Sequence, residues 1–143
     1  MTALTLDKAR EIVATARAKG QEMGLKPLSV IVLDAGGHVK AFEREDGASN
    51  MRFQIAFGKA NGALGLGIGS RAIMNRAEAQ AYFVLAVNGA ADGGLVPVPG
   101  GVLVKDADGA ILGAVGITGD SSDNDEAAAV AAIRAAGFTA DPG

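Results

Sequence analysis

The chain has a single imidazole, His38, set in Asp34-Ala-Gly-Gly-His-Val-Lys-Ala-Phe-Glu-Arg44. If the residues after the Gly36-Gly37 turn are extended, side chains alternate and His38, Lys40, Phe42 and Arg44 share one face. An imidazole titrates near neutral pH and serves as general base or metal ligand. Cations beside it suit an anionic ligand, either a small carboxylate or a porphyrin propionate. One histidine cannot build a two-histidine metal site, but it can act as a single axial haem ligand. The plainer reading of a lone histidine after a turn is a partly exposed structural residue.

Lys59, Asp46 and Glu126 are candidate proton-transfer partners of His38, since general acid–base chemistry needs only positioned groups of tuned pKa. The plainer reading of each is a solvated surface charge. The candidate ligand-binding set is His38, Arg44 and Lys59 together with Gly116, Thr118 and Gly119. The last three lie just before a predicted helix, whose first backbone N–H groups can hold a carboxylate. His38 is also the one candidate metal ligand.

Other constellations are weaker. Gly67-Ile-Gly-Ser-Arg-Ala72 satisfies a loose G-x-G-x-x-A, but a helix rather than a strand precedes it, so it reads as a helix-to-helix loop. Asp120, Asp123, Asp125 and Glu126 lack the alternating ligands of a calcium loop. They read as helix caps, Ser122 with Asp125 or Asp123 with Glu126. Neither a G-x-S-x-G elbow nor a phosphate-binding Walker sequence occurs.

The elements that must position these residues follow from periodicity. Thr5 caps a helix from Leu6, whose Leu6, Ala9, Ile12, Val13 and Ala16 share a face and which stops at Gly24. Ser29 to Leu33 is a short β-branched run, and it forms a hairpin with a strand from His38 to Arg44. Helices are predicted from Met51 to Ala63, after a Ser70 cap, and from Ala77 to Val87. Val96 and Val98, split by prolines, make an edge strand at most. A second hairpin joins Val102–Lys105 to Ala110–Thr118, and a last helix covers Asn124 to Ala136. The order α-β-β-α-α-(β)-β-β-α, with two hairpins, implies an antiparallel sheet covered by helices.

At 143 residues the sequence predicts one domain, residues 1–143, with a sizeable core. Hydrophobic residues make up 49% and the net charge is −3, which excludes a disordered chain and gives no electrostatic footprint for nucleic acid. The 21 glycines favour close backbone packing. The lack of cysteine rules out disulfides, thiolate metal sites and a cysteine nucleophile. With no secretory pattern at Met1–Lys8 and no apolar run of about 20 residues, a cytoplasmic protein that does not enter a membrane is expected.

The chain resembles the GlcG/HbpS-like proteins, also known as the haem-degrading or PduO C-terminal-like domain. The resemblance covers residues 4 to 138 and rests on Val32-Leu-Asp-Ala-Gly-Gly-His38, Phe42-Glu-Arg-Glu-Asp-Gly-Ala48, Lys59-Ala60, Gly100-Gly101, and Gly113-Ala-Val-Gly-Ile-Thr-Gly119 followed by Asp125-Glu126. It implies an α+β, profilin-like α-β-α sandwich with a central antiparallel sheet, assembled into homo-oligomers. Members include haem-binding sensors, a domain attached to corrinoid adenosyltransferases, and proteins encoded with glycolate or diol metabolism. Where such a protein holds haem, the axial role in this chain would fall to His38.

The reading is therefore a small-molecule binding protein for haem, another tetrapyrrole or a small anionic metabolite. Its expected pocket is lined by the first hairpin, Gly116–Gly119 and the start of the last helix, with Arg44 and Lys59 holding carboxylates. The alternative is a cofactor-independent enzyme performing proton transfer, isomerisation or hydration on a small organic acid. A structural accessory subunit without a ligand is the third reading.

Overall fold

The computed structural model describes residues 3–143. Helix α1 (Leu6–Glu22) begins where predicted, with the Thr5 hydroxyl accepting from the Lys8 N–H at 3.2 Å. Its C-cap is Met23, and Gly24 follows with a φ of +69°, the left-handed conformation glycine adopts freely. Strands β1 (Ser29–Asp34) and β2 (Val39–Arg44) form the first hairpin. Then come α2 (Arg52–Leu66), α3 (Ser70–Ala79) and α4 (Ala81–Ala90), and the second hairpin of β3 (Gly101–Lys105) and β4 (Ile111–Thr118). Helix α5 (Ser122–Ala135) and a short β5 (Thr139–Asp141) complete the chain.

All pairings are antiparallel, in the order β2-β1-β4-β3-β5, so the fold is an α+β sandwich as expected. Alternation sorts the central strands. Val30, Val32, Val102, Val104, Val115 and Ile117 face α1 and α5, while Ile31, Leu33, Leu103 and Ala114 face α2. Strands buried on both faces read as continuous apolar runs, which is how β1 appears in the sequence.

Helix α2 lies unusually close to the sheet. Gly101 of β3 and Gly116 of β4 are cross-strand partners. A Cβ on Gly116 would stand 2.1 Å from the Ala56 carbonyl oxygen, and one on Gly101 2.2 Å from that of Lys59. The paired glycines make a flat patch on which the backbone of α2 rests, and only glycine permits that approach.

Several expected boundaries move. The predicted Ala77–Val87 helix is interrupted at Gln80 (φ −152°, ψ 67°), which ends α3 and precedes α4; neither glycine nor proline marks the break. Gly69, not Ser70, occupies the N-cap of α3, and the Ser70 hydroxyl instead accepts from the Gly101 N–H at 2.7 Å. The N-cap of α5 is Ser121, accepting from Asn124 N–H, so neither expected capping box forms. Val96 and Val98 lie outside any strand, and no periodicity in the sequence announces β5.

Candidate functional site

His38 closes the first hairpin turn. The Asp34 Oδ1 accepts from the backbone N–H groups of Gly36 and His38, each at 3.0 Å, and lies 3.2 Å from His38 Nδ1. These bonds, the His38 backbone N–H foremost, hold the Asp34 carboxyl below its ordinary range. The Nδ1 edge of the ring therefore faces the Asp34 carboxylate, the arrangement in which a ligating histidine donates from one ring nitrogen and ligates through the other. The ring is 81% exposed and borders an open cleft of about 540 Å³ lined by Leu4, Asp34, Lys40, Ile111 and Leu112.

The other candidates lie elsewhere. At the far end of β1, Ser29 pairs with Arg44 on one side and Thr118 on the other. Their side chains point to the α2 face, as Ile31 and Leu33 do. Arg52, the first residue of α2, donates from Nη1 to the Thr118 hydroxyl at 2.8 Å. Ser29 and Asp34, at the two ends of β1, are roughly 17 Å apart at the usual strand rise. The one pocket expected to unite His38 with Arg44, Lys59 and Gly116–Gly119 is therefore split into two regions by the length of a strand.

Lys59 and Asp125 meet beside the second region. Both are fully enclosed, at 2% and 1% exposure. Lys59 Nζ donates to the Ile117 carbonyl at 2.9 Å and stands 3.3 Å from Asp125 Oδ2, while Asp125 Oδ1 accepts from the Asp120 N–H at 3.0 Å. Burial pushes the Lys59 ammonium below its ordinary value and the Asp125 carboxyl above it, each opposed by the other's charge. Gly100, at φ +122°, makes room for the ammonium: a Cβ there would stand 2.9 Å from Nζ. A lysine whose donors point at a carbonyl and a carboxylate inside the protein does not present its charge to a ligand.

Asp46 borders a separate surface cleft with Arg17 and Pro27, and Glu126 accepts from Arg71 Nε at 2.9 Å. The four candidate acid–base groups, His38, Lys59, Asp46 and Glu126, thus have four different surroundings. Among the described residues, no three His, Asp or Glu side chains could hold a metal ion together.

Sequence reasoning alone assigns no site role to Asp34, Asp125, Arg52 or Ser29. The i, i+4 spacing of Asp34 and His38 about two glycines is the available signal for the first. Asp125 groups with the helix caps in the sequence because its lysine partner is distant along the chain.

The family model described as haem degrading protein HbpS-like matches residues 4–134. The chain belongs to this family. Among solved structures it is similar to PduOC in complex with haem (TM-score 0.85, 23% identity, 96% of this chain and 97% of that chain). It is likewise similar to HbpS (TM-score 0.80, 26% identity, 94% and 91%). Klebsiella pneumoniae ORFY also shares the fold (TM-score 0.83, 22% identity, 95% and 92%). No curated protein matches the HbpS-like chain.

Proposed function

We propose that the chain binds a tetrapyrrole of the haem class at the His38 cleft, as a subunit of a homo-oligomer in the cytoplasm. The observation that carries this reading is the oriented imidazole: Asp34 engages Nδ1, and the exposed ring borders the cleft. A carboxylate behind a ligating histidine fixes its tautomer and raises its basicity. Leu4, Ile111 and Leu112 offer apolar surface to a macrocycle, and the Lys40 ammonium lines the same cleft, where it suits a propionate. A bound haem would supply redox and oxygen chemistry at its iron. The chain's own part is to ligate, to orient the ring through Asp34, and to anchor the acidic edge through Lys40.

Two further facts support the ligand class: the family's description as haem degrading and the haem complex of the structurally similar PduOC. No helix among the described residues is long and apolar enough to cross a membrane, and a chain without cysteine suits a reducing compartment. Tyr82 and Leu85 on α4, exposed to 72% and 73%, support assembly, since isolated proteins seldom leave large apolar side chains grouped on one helix. A haemin titration followed by absorbance tests the reading. It expects a saturable, stoichiometric Soret shift, and weak unsaturable adsorption would contradict it.

A further inference from the structure

The far end of β1 gathers two guanidinium groups, Arg44 and Arg52, that form no salt bridge among the described residues. Arg52 is the first residue of α2, a helix with no acidic residue in its first turn and no side-chain cap at Met51. A cation there opposes the helix dipole. Arg52 is held by hydroxyls, Ser49 Oγ at Nε (2.9 Å) and Thr118 Oγ1 at Nη1 (2.8 Å), and Nη2 has no hydrogen-bond partner among the described residues. Arg44 donates from Nη1 to the Ala48 carbonyl at 3.0 Å, so the two guanidinium groups grip adjacent residues of one loop. The charge of Arg52 also bears against the Lys59 ammonium, whose one carboxylate partner, Asp125, is turned inward.

Beneath them, the Ser29 hydroxyl is fully buried with no hydrogen-bond partner. It is the cross-strand neighbour of Thr118 and of Arg44 and points toward the same side. Buried hydroxyls nearly always find a partner. Two guanidinium groups without a salt-bridge partner among the described residues, a helix start with no side-chain cap and a buried hydroxyl without a partner all suit an anion with oxygen acceptors.

We propose that this end of the sheet is a second binding site, for a small carboxylate held by Arg52 and Arg44 above the Ser29 and Thr118 hydroxyls. Planar carboxylate oxygens match the guanidinium fork. The site stands apart from the His38 cleft by the length of β1 and does not rest on haem binding there.

The test is an amide NMR titration of the full chain, without haem, using succinate as probe and potassium chloride at matched ionic strength as control. The expected result is saturable shifts at residues 49–53 and at Thr118, with at least tenfold weaker binding in Arg52→Gln and in Arg44→Gln. Should Arg52→Gln lose its dispersed spectrum, the exposed Arg44→Gln carries the comparison alone. Shifts that merely follow ionic strength, or that persist unweakened in a folded variant, overturn the site. Inorganic phosphate binding more tightly than succinate overturns the carboxylate assignment.

Discussion

Lys59 Nζ lies 3.3 Å from Asp125 Oδ2, although the two residues belong to helices packed on opposite faces of the sheet. The lysine crosses beside Gly100, the residue before β3, where no Cβ stands in its way. The pair is therefore a covered electrostatic link between the two helical layers. Its third member is the Ile117 carbonyl at the end of β4, so sheet and both layers converge on one ammonium.

Removing one partner leaves the other charge buried without compensation, which typically costs about 3–5 kcal/mol. Asp125→Ala is expected to lose stability on that scale in urea denaturation. The double variant Lys59→Met with Asp125→Leu should be less destabilised than Asp125→Ala, because apolar replacement removes both desolvation penalties. Additive losses would show that the residues do not act as a pair.

Glycines of α2 and of the sheet it covers make opposite predictions. Gly116→Ala forces a Cβ against the Ala56 carbonyl, and overpacking of this kind costs about 1–3 kcal/mol or more. Gly65, inside α2, is open: a Cβ added there would meet nothing within 4 Å. Gly65→Ala should therefore gain about 0.5–1 kcal/mol from helix propensity. Thermal melts of the two variants that moved in the same direction would contradict the close seating of α2.

The Asp120 carboxylate accepts from Asn124 Nδ2 at 2.9 Å and from the N–H groups of Lys26 at 3.0 Å and Ser121 at 2.8 Å. The Asn124 bond foremost, followed by the two backbone bonds, lowers its pKa from 3.8 to about 2. A depressed carboxylate binds protons more weakly folded than unfolded, so its contribution is present above about pH 3.8. That contribution disappears as pH falls toward 2. Stability measured across this window should fall less steeply in Asp120→Asn than in the unaltered chain; identical slopes would remove Asp120 from the acid response.

The proposed homo-oligomer is tested most directly on the exposed side chains of α4. Leu85→Glu places a charge where the side chain is 73% exposed, so the isolated fold should tolerate it while an interface would not. Sedimentation should show a smaller particle at unchanged secondary structure. An unchanged sedimentation coefficient would contradict assembly through this helix.

How much of this can be read in the sequence depends on how local each cause is. Thr5, the first turn and the β1 run are decided within a few residues, and they appear where periodicity places them. The Gln80 break, β5 and the Ser70–Gly101 bond depend on contacts remote in sequence, to which propensity is blind. The same division holds for the candidate site. His38, Arg44 and Thr118 stand out by type, yet only the register of β1 with β2 and β4 shows that His38 lies at one end and the other two at the opposite end. Lys59 looks like a ligand-binding cation because nothing in its neighbourhood of α2 announces Asp125.

The central claim is that His38 ligates a haem-class group through Nε2, and the most direct measurement compares haemin absorbance spectra of the unaltered protein and His38→Ala. The account predicts a sharp, saturable Soret band in the first, its loss or displacement in the second, and its return when free imidazole is added to the variant. A His38→Ala spectrum and affinity indistinguishable from those of the unaltered protein would contradict it.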